Sequence, residues 1–125
     1  MIINGNRVVN SSLIQKRGEI MELNIDTLRK ICELENIEIT MHVAKRLEQR
    51  GISILDVIQC IKNGEIIEQY PDDYPYPSCL ILGFSVNDKM LHVVVGSDLS
   101  CLWIVTAYYP DPTKWESDFK TRKEV

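Results

Sequence analysis

The segment HVAKRLEQR places His42, Arg46 and Arg50 at i, i+4 and i+8. On an α-helix those positions share one face, so an imidazole and two guanidinium groups point the same way. Such a face fits phosphodiester cleavage without a metal. Histidine moves a proton near neutral pH, and arginine supplies fixed positive charge for a developing phosphorane. The same spacing also describes the solvated face of an amphipathic helix, and spacing alone favours that plainer reading.

Other residues able to do chemistry are scattered. His92 lies between Leu91 and Val93 at a strand position, where a histidine is ordinarily a hydrogen-bonded core or edge residue. Tyr108, Tyr109 and Lys114, with Lys120, Arg122 and Lys123 beyond them, are placed to stack on a base or orient a phosphate. They read equally well as an aromatic core followed by a tail whose positive charge is offset by Asp111, Glu116, Asp118 and Glu124. Residues 70–79, YPDDYPYPSC, hold three of the five tyrosines and three of the five prolines. Proline fixes φ and removes backbone donors, so this loop cannot extend a sheet. It holds Tyr74 and Tyr76 stiffly, either as a structural corner or as the wall of a binding site. Tyr-Pro bonds also populate cis, so a bond locked in that form is one reading of this loop.

The elements that must position these groups follow from periodicity and caps. Residues 24–34 place Ile25, Leu28, Ile31, Cys32 and Leu34 at near-helical spacing, with Asn24 or Asp26 as cap. A second helix runs from about 41 to 50, between Thr40 as N-cap and Gly51 as its C-terminal stop. Val43, Ala44 and Leu47 form its apolar face, opposite His42, Arg46, Gln49 and Arg50. Ser53 and Asp56 fit a capping box for a third helix that ends at Asn63-Gly64. Four strands follow at 65–70, 78–86, 89–97 and 101–109, and their short connections imply an antiparallel meander. Residues 113–123 predict a last helical turn or two, with Trp115 and Phe119 inward at i, i+4. The fold expected is α+β, with N-terminal helices packed on one face of a four-stranded antiparallel sheet. The last three strands are apolar on both faces, so the second face should be covered as well. In a strict meander the 71–77 loop and the end of the last strand lie at opposite ends of the sheet.

At 125 residues, 45% apolar and 26% charged, the chain has the composition of one globular domain. No apolar run is long enough to span a membrane, and no export signal is seen, which points to the cytoplasm. The four cysteines form no CxxC pair and match no zinc pattern; reduced, buried thiols are expected. No metal or cofactor is expected. A net charge of −4 argues against nucleic-acid binding by bulk attraction. The charge is uneven. Residues 41–62 carry Lys45, Arg46, Arg50 and Lys62 against Glu48 and Asp56, a net +2, whereas residues 65–76 carry Glu65, Glu68, Asp72 and Asp73, a net −4. Residues 1–20 look foreign to the rest. IINGNRVV has the Asn-Gly signal of a small hairpin. KRGEIM back-translates to a purine-rich ribosome-binding sequence before a start codon, so residues 1–20 are expected to be a leader ahead of a natural start at Met21, and 21–125 a single domain.

The ordered series HVAKRLEQRGIS, DVIQCIKNGEIIEQYPDDYPYPSCLILG, LHVVVG and WIVTAYYPDPTKWESDFKTRK resembles a family of small bacterial proteins classed under a domain of unknown function, over about residues 38–123. That pattern opens on a His-Ala-x-x-Arg helix and an Arg-Gly-Ile-Ser turn, here His42, Arg46 and Arg50-Gly51-Ile52-Ser53, with Val43 where alanine is usual. Such proteins look like the RelE/MqsR-type toxins, with a RelE/barnase-like arrangement of helices on a sheet. The resemblance implies a toxin that cleaves RNA without metal and is neutralised by a zinc-finger antitoxin. Read this way, His42, Arg46, Arg50 and Tyr108 are catalytic, and Tyr74, Tyr76, Tyr109, Lys114 and Arg122 contact the RNA. The chain is acidic where ribonuclease toxins tend to be basic. The reading from another class is a non-catalytic protein-binding module that uses its sheet edge and the Tyr-Pro loop.

Overall fold

The computed structural model describes residues 22–124 and the backbone of 2–4 and 7–9. Strands β1 (Ile2–Asn4) and β2 (Arg7–Val9) pair antiparallel, as the Asn-Gly signal predicts. The reading of residues 1–20 as a leader otherwise lies outside the described residues.

Three helices follow, each started by a local side-chain cap. In α1 (Ile25–Ile31), Asn24 Oδ1 accepts from the Asp26 and Thr27 amides. In α2 (Met41–Gln49), Thr40 Oγ1 accepts from the Val43 amide, and Gly51 at φ +70° ends the helix in the left-handed region. In α3 (Ile54–Asn63), Ser53 and Asp56 form the reciprocal capping box. Asp56 also accepts from the Val86 amide at 3.0 Å, which ties the start of α3 to the turn after β5. Burial acts to raise this carboxyl, but its hydrogen bonds from Ser53 and Val86 outweigh that and hold it below the usual range.

The sheet has five strands, one more than expected: β3 (Ile37–Glu38), β4 (Glu65–Tyr70), β5 (Ser78–Phe84), β6 (Met90–Ser97) and β7 (Leu102–Tyr108), in the order β3-β7-β6-β5-β4. The antiparallel meander β4 to β7 is as predicted. The added β3 runs parallel to β7 and pairs only at Ile37 with Leu102 and Glu38 with Trp103. Beyond Trp103 the outer edge of β7 has no strand partner among the described residues, and α2 lies against it.

One sheet face carries Cys79, Ile81, Leu91, Val93, Val95, Leu102, Ile104 and Ala107, which pack with Leu28, Leu47, Val57, Cys60 and Ile61 of the helices into one core. Helix α3 approaches the sheet so closely that a Cβ at Gly64 or Gly83 would collide with the Cys60 carbonyl oxygen. All four cysteines are buried, and there is no disulfide among the described residues.

On the opposite face Leu80, Leu82 and His92 are buried, and residues 109–123 fold over the His92 end. This segment is not the helix expected. It folds back in turns, and Trp115 forms an isolated antiparallel bridge with Arg122. Asp111 Oδ1 accepts from the Thr113 amide and hydroxyl, and Asp118 Oδ1 accepts from the Lys120 and Thr121 amides. These side chains take the donors that a helix would use. Trp115 is buried as expected, whereas Phe119 sits at φ +56° and is half-buried. Among the described residues, no helix is long and apolar enough to cross a membrane.

Candidate functional site

Helix α2 presents its polar face along the free edge of β7. Leu47 is buried and Val43 half-buried, while His42, Arg46, Gln49 and Arg50 are exposed, as the periodicity predicts; Ala44 is exposed rather than packed. Arg50 is not merely solvated. Its Nη1 donates to the Ala107 carbonyl at 2.8 Å and to Thr106 Oγ1 at 3.2 Å, so it occupies an edge carbonyl of β7 and holds α2 there. Arg46 Nη2 lies 3.1 Å from His42 Nε2. A guanidinium only donates, so in this arrangement Nε2 accepts and the ring proton is on Nδ1. His42, Val43, Arg46, Val105 and Thr106 line a small cavity of about 180 Å³.

Val105 owes its position to a bulge. Val94 pairs with Thr106 and Val95 with Ile104, which leaves Val105 as the extra residue on β7, exposed at the edge. It also lines a second cavity, of about 430 Å³, between the Tyr-Pro loop and the sheet face opposite the helices. Tyr76, Trp103, Asp73, Tyr74, Ser78 and Gly96 contribute to its walls. The Tyr76 and Trp103 rings are near-parallel, 26° apart in plane with centroids 6.4 Å apart. Asp73 Oδ2 accepts a hydrogen bond from Ser78 Oγ. The Tyr74–Pro75 bond is cis, and Tyr74 is 94% exposed.

On the same sheet face, at the end where β7 finishes, a polar cluster sits under the tail. Arg122 donates from Nε and Nη2 to the two oxygens of Glu68, at 2.8 and 3.1 Å, and lies over the Trp115 ring at 4.6 Å. Tyr70 also donates to Glu68. The hydrogen bond from Arg122 is the main reason that the Glu68 carboxyl is held low, and burial with the Glu68 contact pushes the Tyr70 phenol up to about 12. His92 is fully buried. Its Nε2 donates to the Phe119 carbonyl at 2.8 Å, and Trp115 stands edge-on to its ring at 4.6 Å. Burial pushes its pKa below the ordinary value, against the opposing effect of that hydrogen bond. Tyr108 Oη lies 3.4 Å from His92 Nδ1. Burial raises the Tyr108 phenol, and the positive charges of Arg122 and Arg50 act in the other direction.

The structure therefore gathers His42, Arg46 and Arg50 on one edge, with Tyr108 within the electrostatic reach of Arg50. Tyr74 and Tyr76 lie at the other end of the sheet from Tyr108, as the meander requires, yet Val105 makes their cavity a neighbour of the His42–Arg46 cavity. Tyr109 is at the surface with Lys89 Nζ 5.7 Å from its ring centre. Lys114 is exposed and its backbone holds the tail, accepting from the Lys123 amide and donating to Asp111. Arg122 is committed to Glu68. Sequence reasoning missed Trp103, Thr106, Glu68 and Asp73 as parts of these sites. Only Asp73 carried a signal, its place in the aromatic loop; the others depend on pairings far apart in the chain.

Neither the curated proteins nor the solved structures contain a match to the chain. Residues 39–109 match the sequence profile of a domain of unknown function, DUF4258. That span holds α2, α3 and the whole β4–β7 meander, together with the α2 edge and the Tyr-Pro cavity. The chain belongs to the DUF4258 family.

Proposed function

We propose that this protein is the toxin of a toxin–antitoxin pair and cuts RNA without a metal ion, with a RelE-like arrangement of its helices and sheet and a zinc-finger antitoxin as its partner. The observation that carries the reading is the exposed His42–Arg46 pair beside the open edge of β7, with Arg50 fixing the helix on that edge. His42 Nε2 has its lone pair directed outward to a donor. In the complex a ribose 2′-hydroxyl replaces Arg46 as that donor. His42 takes the hydroxyl proton, O2′ attacks phosphorus, and the P–O5′ bond breaks; the imidazolium then returns the proton through solvent to O5′, which leaves a 2′,3′-cyclic phosphate, a 5′-hydroxyl and a neutral His42. Arg46, released from the imidazole, stabilises the phosphorane charge. Arg50 keeps one nitrogen on Ala107 and turns the rest of its fork to the phosphate. Tyr108 borders the site, and Tyr109 and Lys114 flank the departing strand.

The net charge of −4 already counts every cation, but the acidity of residues 65–76 is offset locally by the tail. Glu65 pairs with Lys120 and Glu68 with Arg122, so two of the four acids in residues 65–76 are already neutralised. The alternative is a non-catalytic protein-binding module, favoured by the nearly complete exposure of Tyr74. The deciding experiment is induction of the chain in a bacterial host beside His42→Ala at matched soluble level, with RNA from both cultures analysed for 2′,3′-cyclic phosphate ends. Arrest and cyclic ends with the parent alone support the toxin. Growth with both sinks it in favour of the binding module. Arrest with both removes His42 from the mechanism.

A further inference from the structure

We infer that the cavity under the Tyr-Pro loop is a base pocket that prefers guanine, placed to take the nucleobase next to the phosphate at Arg46. This rests on the reading of the α2 edge as an RNA site. Three observations converge on it. First, Val105 lines both cavities, so the aromatic cavity and the cationic one are neighbours across a single bulged residue. A base and its own phosphate are separated by about one ribose, the spacing that two adjoining subsites of this kind suit. Second, the walls have the right chemistry for a flat ring. Tyr76 and Trp103 present near-parallel faces, the strand floor at Gly96 has no side chain, and the volume of about 430 Å³ admits a purine. Aromatic stacking on a base is sequence-tolerant and needs no positive charge.

Third, the polar group present selects among bases. The wall carries one carboxylate, Asp73, and no cation. Its Oδ2 accepts from Ser78, and no other hydrogen bond reaches the carboxylate among the described residues. A carboxylate only accepts, with about four lone-pair positions on its two oxygens. Guanine offers two adjacent donors, N1–H and N2–H, along one edge. Adenine and cytosine set a ring acceptor beside their amino group, and uracil flanks its single N–H with two carbonyls. Each of these three turns an acceptor towards the carboxylate where guanine offers a second donor. The acid that looks unfavourable for RNA binding in bulk thus becomes the group that reads one base.

The test is an NMR titration of the full chain with the four nucleoside 5′-monophosphates, followed at the Gly96 amide and the Trp103 indole. The expected result is saturable shifts with GMP at least fivefold tighter than with AMP, CMP or UMP. Asp73→Asn should remove the preference for guanine. Gly96→Ala should weaken all four nucleotides; a Cβ at Gly96 meets only Pro77 O at 3.5 Å and Ser78 Cβ at 3.8 Å, so the strand accepts the methyl group while it intrudes on the pocket floor. Arg46→Ala should weaken all four about equally and leave the ranking intact. Equal response to the four nucleotides, or no saturable response at these two residues, overturns the inference. A guanine preference in a chain that cuts no RNA would retain the pocket and reject the ribonuclease reading. An unchanged affinity for GMP in Arg46→Ala would retain the pocket and reject Arg46 as its phosphate neighbour.

Discussion

His42 and His92 both engage a neighbour through Nε2, but in opposite senses. At the α2 edge, His42 Nε2 accepts from a guanidinium and the residue is exposed. Under the tail, His92 Nε2 donates to a carbonyl and the ring is sealed between Trp115 and Tyr108. A carbonyl only accepts, so His92 carries its proton on Nε2, the tautomer opposite to that of His42. The difference separates two kinds of polar group. Around His92 every partner is internal, and the cluster closes the end of the second face where β7 finishes. At His42 the partner is an exposed arginine that a ligand can displace. The first region should therefore govern stability and the second the proposed cleavage, and substitutions should split along that line.

The sharpest test of the split is Trp115→Ala. Trp115 is 3% exposed and joins His92 to Arg122, so its loss opens a cavity and frees the tail. Truncation of a buried tryptophan costs about 3–5 kcal/mol, read as a fall in the urea midpoint. A change below about 1 kcal/mol would mean that the tail does not seal the sheet. Arg122→Ala should follow at about 1–3 kcal/mol, because it leaves the half-buried Glu68 carboxylate with Tyr70 alone. In Glu68→Gln the same substitution of Arg122 should cost less, and a double-mutant cycle measures the coupling. Additive losses would show that the ion pair contributes nothing.

The contrast between the regions also explains what could be read from the chain. Helices α2 and α3 were legible because their caps, Thr40 and Ser53 with Asp56, act within three or four residues. The meander was legible because its turns are short. Strand β3 was not: two residues pair with β7 only because the rest of the chain brings β7 there. The tail misled because Trp115 and Phe119 have helical spacing, while Asp111 and Asp118 form turns that helical spacing does not reveal. The face of His42, Arg46 and Arg50 follows from helix geometry alone. The closure of the His92 cluster rests on Glu68 and Arg122, which are 54 residues apart, and the junction of the two cavities rests on a bulge at Val105. No local pattern encodes either.

Acid should weaken the tail cluster. Burial holds His92 below its ordinary value of 6.5. As pH falls through that value, the unfolded chain binds a proton that the folded chain does not, so stability declines on acidification until the lower folded pKa is reached. Glu68, held below its ordinary 4.5 chiefly by Arg122, adds a second loss at lower pH as its folded pKa is passed. Thermal midpoints measured from pH 7.5 to 5 should fall in the parent and fall less in His92→Gln. Parallel curves would show that another group carries the acid sensitivity.

The smallest effect on stability should come from His42, the residue on which the proposed cleavage depends. His42 is exposed and its only hydrogen-bond contact among the described residues is Arg46, itself exposed. His42→Ala removes no packing and leaves no buried group unsatisfied, so its change should stay within about 0.5 kcal/mol of the parent. Arg50→Ala sharpens the point. It abandons the Ala107 carbonyl and Thr106, loosens α2 from β7, and should cost about 1 kcal/mol while also lowering the proposed cleavage. If His42→Ala instead destabilises as much as Arg50→Ala, the imidazole is part of the scaffold at this edge. The division between a structural histidine and a reactive one then fails.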